Sequence, residues 1–135
     1  MSNALERGLH AIELLAGKST GLALQQVAEA LDIPPSATHR MLNCLVEQGF
    51  VRQDHQHGNY VLALKVVSLA FKHLSQSNIV DLAKPILDRL ARLSGELVRL
   101  SIVDGDNLVW ISKAQGTRSG LRYDPDSGAE AKLCC

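Results

Sequence analysis

The chain has 135 residues, 46% of them hydrophobic and 21% charged, and its 14 basic side chains balance its 14 acidic ones. That length suits one domain, or a small domain with a piece of another, and four Pro, ten Gly and no Ser- or Gln-rich tract exclude a disordered or fibrous chain. Only 4% of residues are aromatic, which excludes a base-stacking surface for single strands, while zero net charge leaves duplex binding to the distribution of charge along the chain.

Residues 3–16 read as a first helix, with Leu5, Leu9, Ile12 and Leu15 at helical spacing and Asn3 or Ser2 as cap. Residues 17–21 (GKSTG) are turn formers. A second helix over 22–31 carries Leu24, Val27, Ala28 and Leu31 on one face. Pro34 and Pro35 then break the chain, and a third helix runs to Gln48 and stops at Gly49. Residues 50–54 and 60–62 are β-like around a five-residue tip, 55–59, which predicts a short hairpin. Helical stretches follow at 63–76 and 78–94, and Pro85 is expected to kink or divide the second. Val98, Leu100 and Ile102 alternate as a half-buried strand, residues 104–107 turn, and 108–114 return. Past Gly116 the pattern fades. No internal repeat is found.

The informative stretch is 24–43, LQQVAEALDIPPSATHRMLN. Two helices joined by a short turn cross steeply, so their facing residues must be small or closely fitted. Ala28 supplies the small residue, and Val27, Leu31, Ile33 and Met41 the anchors. Asp32 stands where a left-handed backbone is often required, which Asp tolerates better than most residues. This is a helix–turn–helix, whose second helix enters the DNA major groove. On the third helix Thr38, Met41, Leu42 and Leu45 share the inner face, and Ser36, Arg40, Asn43 and Glu47 the outer one. Arg can pair with guanine and Asn with adenine, while Ser and His can hold phosphates. The hairpin after the third helix adds a wing, with Arg52, His55, His57 and Asn59 near the backbone or minor groove.

Charge argues against a lone domain. Residues 1–62 hold four basic against six acidic groups, a net of −2, so affinity for DNA has to come from two copies on one site. Leu64, Val67, Leu69, Phe71 and Leu74 are too many apolar side chains for one small surface and predict a dimerising linker helix.

Other chemistries find little support. His55 and His57 are two imidazoles without a third ligand nearby, so no metal is expected. Too few residues follow Leu62 for a cofactor-binding sheet, no glycine-rich phosphate loop occurs, and no cofactor or catalysis is expected. Cys44 reads as a small helix-edge filler, and the adjacent Cys134 and Cys135 as incidental. Three Cys make no disulfide framework, and neither a membrane span nor a signal peptide is present. A soluble cytoplasmic protein without membrane partners is expected. The competing reading is a winged helix used only for protein contact or dimerisation.

In order and spacing these residues resemble the IclR family of bacterial transcriptional regulators. ALERGLHAIELL resembles the family's first helix, LALQQVAEALDIPPSATHRMLNCLVEQGFV its helix–turn–helix, and YVLALKVVSLA its wing exit and linker helix. LAKPILDRLARLSGELVRLSIVDGDNLVWISK resembles the start of its effector-binding domain. The resemblance implies a mainly α fold with β-hairpins: a winged helix–turn–helix (1–62), a linker helix that dimerises (63–77), and an incomplete α/β GAF-like effector domain (78–135). It implies a regulator, a repressor in this reading, bound to a palindromic duplex operator as a homodimer or tetramer and controlled by a small-molecule effector. Ser36, Ala37, His39, Arg40 and Asn43 would face DNA, and the expected interface adds Gln25, Thr38, Arg52, His55 and His57. Three departures stand out: Asp32 where the family usually has Gly, Ala37 where it often has Thr, and an end at Cys135 with the effector domain less than half complete. No effector-binding residue can be named, and the sheet at 97–114 is expected to keep open edges.

Overall fold

The computed structural model describes residues 3–116 and 130–132. The chain divides into two compact units, 1–71 and 72–135. The division falls inside the linker helix, not at either of its ends.

The first unit begins with α1 (Ala4–Ala16), α2 (Leu24–Leu31) and α3 (Pro35–Glu47). Helix α1 starts in a capping box: Asn3 Oδ1 accepts from the Glu6 N–H, and the Glu6 carboxylate accepts from the Asn3 N–H, both at 2.9 Å. Between α2 and α3, Asp32 adopts φ 51° and ψ 50°, the left-handed conformation its side chain suits. Pro35 then opens α3 at its first position, where a missing N–H costs nothing. The wing is an antiparallel hairpin of β1 (Val51–Gln53) and β2 (Tyr60–Leu62), paired Val51 to Leu62 and Gln53 to Tyr60.

The core of this unit is Leu15, Val27, Leu42, Val51 and Tyr60, one residue from each of these five elements. Helices α2 and α3 pack against each other, with Val27, Ala28 and Leu42 all nearly or wholly buried. Leu22, ahead of α2, exchanges backbone hydrogen bonds with Tyr60 at 3.0 and 2.8 Å and so ties the loop 17–21 to the wing. Gly21 makes that approach possible. Its φ is 73°, and a Cβ there would run into the Tyr60 carbonyl and Val61.

Helix α4 (Leu64–Ser77) leaves the wing. The Lys65 ammonium fastens its start, donating to the Gln48 carbonyl at 2.6 Å and lying 4.5 Å from the centre of the Phe50 ring. A cation beside the last carbonyls of α3 also complements that helix's dipole.

The second unit holds α5 (Ile79–Ser94) and an antiparallel sheet of β3 (Leu97–Asp104), β4 (Asn107–Gln115) and β5 (Glu130–Lys132), in that order. Leu87 and Ala91 pack on Ala114, flanked by Ala83, Val98 and Leu100. Two expectations are narrowed here, on Pro85 and on the sheet edges. Of the two outcomes expected at Pro85, division is excluded, because α5 runs unbroken from Ile79 to Ser94. Proline removes one donor to the Asp81 carbonyl, and Asp81 and Pro85 are both exposed, so water can take that bond. The hairpin turns at residues 104–107 as expected, with Asp104 paired to Asn107, and the register shift between Leu100 and Ser101 leaves Ile111 of β4 as the extra residue of a bulge. Finally, β4 is not an open edge along its whole length, because Asn107–Val109 pair with Glu130–Lys132. Cys134 and Cys135 lie outside the described residues. Among the described residues no helix is long and apolar enough to cross a membrane.

Candidate nucleic-acid interface

Helix α3 sorts its side chains by face. Thr38 and Leu42 point into the core, Met41 and Leu45 pack against it, and Ser36, His39, Arg40, Asn43 and Glu47 are exposed. Thr38 is therefore corrected as a DNA contact: it has 0% exposure, and its hydroxyl donates to the Pro34 carbonyl at 3.1 Å. A buried hydroxyl needs such a partner, and the first turn of the helix supplies it. Ala37 is half-buried on the flank toward α1. On α2, Gln25 is exposed and its amide donates to the Glu29 carboxylate at 3.2 Å. The Asn43 amide nitrogen lies 3.3 Å from Nδ1 and 3.5 Å from Nε2 of His39, one turn earlier on the same face.

Arg40 stands at the border of this stripe. It also lines an apolar groove of about 730 Å³ between α1 and α3, with Leu5, Leu9, Ile33 and Met41 among its walls. Leu5 and Leu9 are 70% and 51% exposed there.

The wing brings a second set of groups together. Arg52 points outward from β1, and His55 and His57 sit exposed at the tip. The tip is held from within. The Gln53 side-chain amide donates to the Gly58 carbonyl at 2.9 Å, and Asp54 accepts the His57 backbone N–H at 3.1 Å. The His57 Nδ1 lies 3.0 Å from the same carboxylate oxygen. The His57 side chain first, and then its backbone N–H, hold the Asp54 carboxyl below its ordinary value. His57 is thus engaged within the wing.

Arg52 and Asn59 border a cleft of about 350 Å³ whose other wall is Ser19 and Thr20. In the sequence pattern those two stand only as turn formers. GKSTG does concentrate one cation and two hydroxyls, but placing them beside Arg52 depends on the Leu22–Tyr60 pairing, which local pattern does not reveal. Among the described residues no three His, Cys, Asp or Glu side chains are grouped to hold a metal ion.

Comparison with known proteins fits this arrangement. Residues 4–55 match the IclR helix-turn-helix domain, and residues 71–135 match the bacterial transcriptional regulator IclR C-terminal domain. The chain belongs to the IclR family. It is 33% identical over 101 residues to the transcriptional repressor IclR of Escherichia coli, covering 75% of this chain and 37% of that one. An IclR-family regulator from Brucella abortus superimposes with a TM-score of 0.75 at 26% identity, over 98% of this chain and 50% of that structure. An IclR homologue of Microbacterium hydrocarbonoxydans, complexed with 4-hydroxybenzoate, shares the fold with a TM-score of 0.79 at 15% identity, over 96% of this chain and 53% of its own. The chain spans about half the length of the curated relatives it matches.

Proposed function

We propose that the chain is a transcriptional regulator, acting as a repressor in the cytoplasm, that reads duplex operator DNA through α3 and steadies itself on the backbone with its wing. The observation that carries this reading is the exposed polar stripe Ser36, His39, Arg40 and Asn43 on the second helix of a helix–turn–helix. Arg40 and Asn43 have the chemistry to read guanine and adenine edges, and Arg52, His55 and the Ser19–Thr20 loop that to meet phosphates.

Self-association belongs to the same proposal. With a net of −2 over residues 1–62, one copy neutralises few phosphates. Leu64 at 81% and Phe71 at 67% exposure on α4, like Leu5 and Leu9 on α1, are apolar surface that a second copy would cover. A homodimer, or a tetramer built from two, then matches a palindromic operator by symmetry. Control by a small-molecule effector rests on the family match of residues 71–135 and on the ligand held by the Microbacterium relative. No residue of this chain is assigned to an effector.

The competing reading, a winged helix for protein contact alone, draws on the apolar groove between α1 and α3. A mobility shift on the DNA upstream of the chain's own coding sequence separates the two. A salt-sensitive shift that survives random competitor supports the regulator, and no shift at low salt on either that DNA or a randomised pool overturns it. Sedimentation showing a monomer at every concentration would remove the dimer.

A further inference from the structure

We infer that the apolar groove between α1 and α3 binds a medium-chain carboxylate, whose head group takes Arg40 away from DNA. The inference rests on the proposed DNA-reading role of α3 and adds to it a point of control within residues 1–71.

The groove has the size and make-up of a small-molecule site. Its volume of about 730 Å³ falls within the roughly 300–1,000 Å³ usual for such sites. Its walls are mostly apolar: Leu5, Leu9 and Ile12 on α1, Ile33 ahead of α3, and Met41 and Leu45 on α3. From Leu5 to Ile12 the helix rises about 10 Å at 1.5 Å per residue, a span that an alkyl chain of roughly eight to ten carbons covers. Gly8 opens the space between the two helices. Glycine weakens a helix interior relative to alanine, and the helical backbone here does not require it. A Cβ at Gly8 would come no nearer than 4.0 Å to Leu45 Cδ2, so the missing side chain leaves a hollow that another group can enter.

Charge selects the occupant. Among the described residues that line the groove there is no Asp or Glu, and both charged ones, Arg7 and Arg40, are cations. Helix α4 of a second copy also offers an apolar stripe, but it carries Lys65, Lys72 and His73 and no acid, so like charges would meet at the rim. A second copy packed over Leu5 and Leu9 would therefore roof the groove and not fill it. A carboxylate answers a guanidinium with a pair of charge-assisted hydrogen bonds, while its alkyl chain takes the apolar walls out of water. Arg40 is exposed and borders both the groove and the outward stripe of α3. One guanidinium cannot fork onto a carboxylate and a guanine at once, so the bound anion competes with base reading.

The test uses the full chain in two arms. In the first, the methionine methyls carry an NMR label. Met41 lines the groove and Met1 is the only other methionine, so one resonance reports the site. Octanoate is titrated beside octanol and octylammonium, chains of equal length and different charge. The Met41 methyl should shift and saturate with octanoate, and octylammonium should bind at least about 10-fold more weakly. Arg40→Gln should remove the advantage of octanoate over octanol. Gly8→Leu, which fills the hollow, should remove saturable binding, and if that variant fails to fold, Arg40→Gln still decides the head-group contact. Equal binding of octanoate and octylammonium overturns the proposal. A Met41 methyl that moves with protein concentration and not with octanoate also overturns it, and makes a second copy the occupant. In the second arm, wild type selects a preferred duplex from a randomised pool. Saturating octanoate should lower affinity for that duplex by up to roughly 5- to 150-fold, spare random duplex, and have no effect in Gly8→Leu. Unchanged affinity for the selected duplex overturns the control of Arg40. Failure of wild type to bind any duplex without octanoate would instead sink the DNA-binding reading, and the Met41 titration would still decide the site.

Discussion

Arg40 and Arg52 are both exposed cations in the same unit, and the proposed function gives them different work. Arg40 lies three residues before Asn43 on the outward face of α3, so a guanidinium there can fork onto O6 and N7 of a guanine. One such contact discriminates by about 1–3 kcal/mol, and two recognition helices acting independently would give roughly 2–6 kcal/mol on a palindromic site. Arg52 projects from β1 beside the Ser19–Thr20 loop, on the wing and away from α3, and is proposed to meet a phosphate there. Each phosphate contact steepens the dependence of log K on log salt by about 0.9, so a dimer lacking both Arg52 side chains should lose about 1.8 of slope. Fluorescence anisotropy of Arg40→Ala and Arg52→Ala, on operator and on random duplex at several salt concentrations, separates the roles. Arg40→Ala should lose operator affinity far more than random affinity with little change in slope. Arg52→Ala should weaken both DNAs alike and flatten the slope. Because Arg40 also borders the α1–α3 groove, sedimentation should first show that Arg40→Ala keeps the wild-type association state. An equal loss on both DNAs for Arg40→Ala refutes base reading and leaves a backbone contact.

Thr38→Val should cost under about 1 kcal/mol in urea unfolding and leave DNA affinity intact, since the Pro34 carbonyl keeps the Ala37 and Thr38 N–H groups at 3.0 and 2.9 Å. Leu42→Ala, at 0% exposure among Leu15, Val27 and Val51, should cost about 3–5 kcal/mol in the same assay. Gly21→Ala forces a side chain into left-handed backbone against the Tyr60 carbonyl. It should destabilise by at least about 1–2 kcal/mol and speed hydrogen exchange at Leu22 and Tyr60. Asp54, whose folded pKa is lowered, contributes wing order above its ordinary value of 3.8 and loses it as pH falls through the lowered one. Protection of the His57 amide should follow that course in wild type and be pH-independent in Asp54→Asn.

The helices were legible because their apolar residues recur at one period and their ends carry chemical marks: Asn3 with Glu6 at the start of α1, and Pro35 at the start of α3. Asp32 was legible for a related reason, since the turn needs positive φ and few side chains accept it. What local pattern did not reveal depends on partners distant in sequence. Thr38 carries the same hydroxyl as a phosphate-binding Thr, and only its depth against the core makes it structural. Ser19 and Thr20 acquire a neighbour in Arg52 through a bridge some forty residues away. The pairing of β5 with β4 likewise joins segments whose connection shows no periodic signal. At Pro85 the opposite holds: a local rule allowed division of α5, and the exposure of Asp81 and Pro85 shows why the orphaned carbonyl does not force it.

The charge of the first unit ties its proposed DNA-reading face to its apolar surfaces. Arg40 and Arg52 are the only Lys or Arg side chains among the expected contacts, and Glu47 shares the outward face of α3, so one copy gains little from counterion release. A second copy doubles the basic contacts but also brings its own acidic groups, and it is favourable only if burial of apolar surface supplies the association energy. The exposed Leu64, Val67 and Phe71 of α4 are placed to do so without occupying α3. On this argument, polar substitution in α4 should weaken operator binding while leaving the side chains that read DNA untouched. Weak non-specific affinity then becomes useful, because a protein that binds random sequence poorly is held by its site chiefly through base contacts made twice.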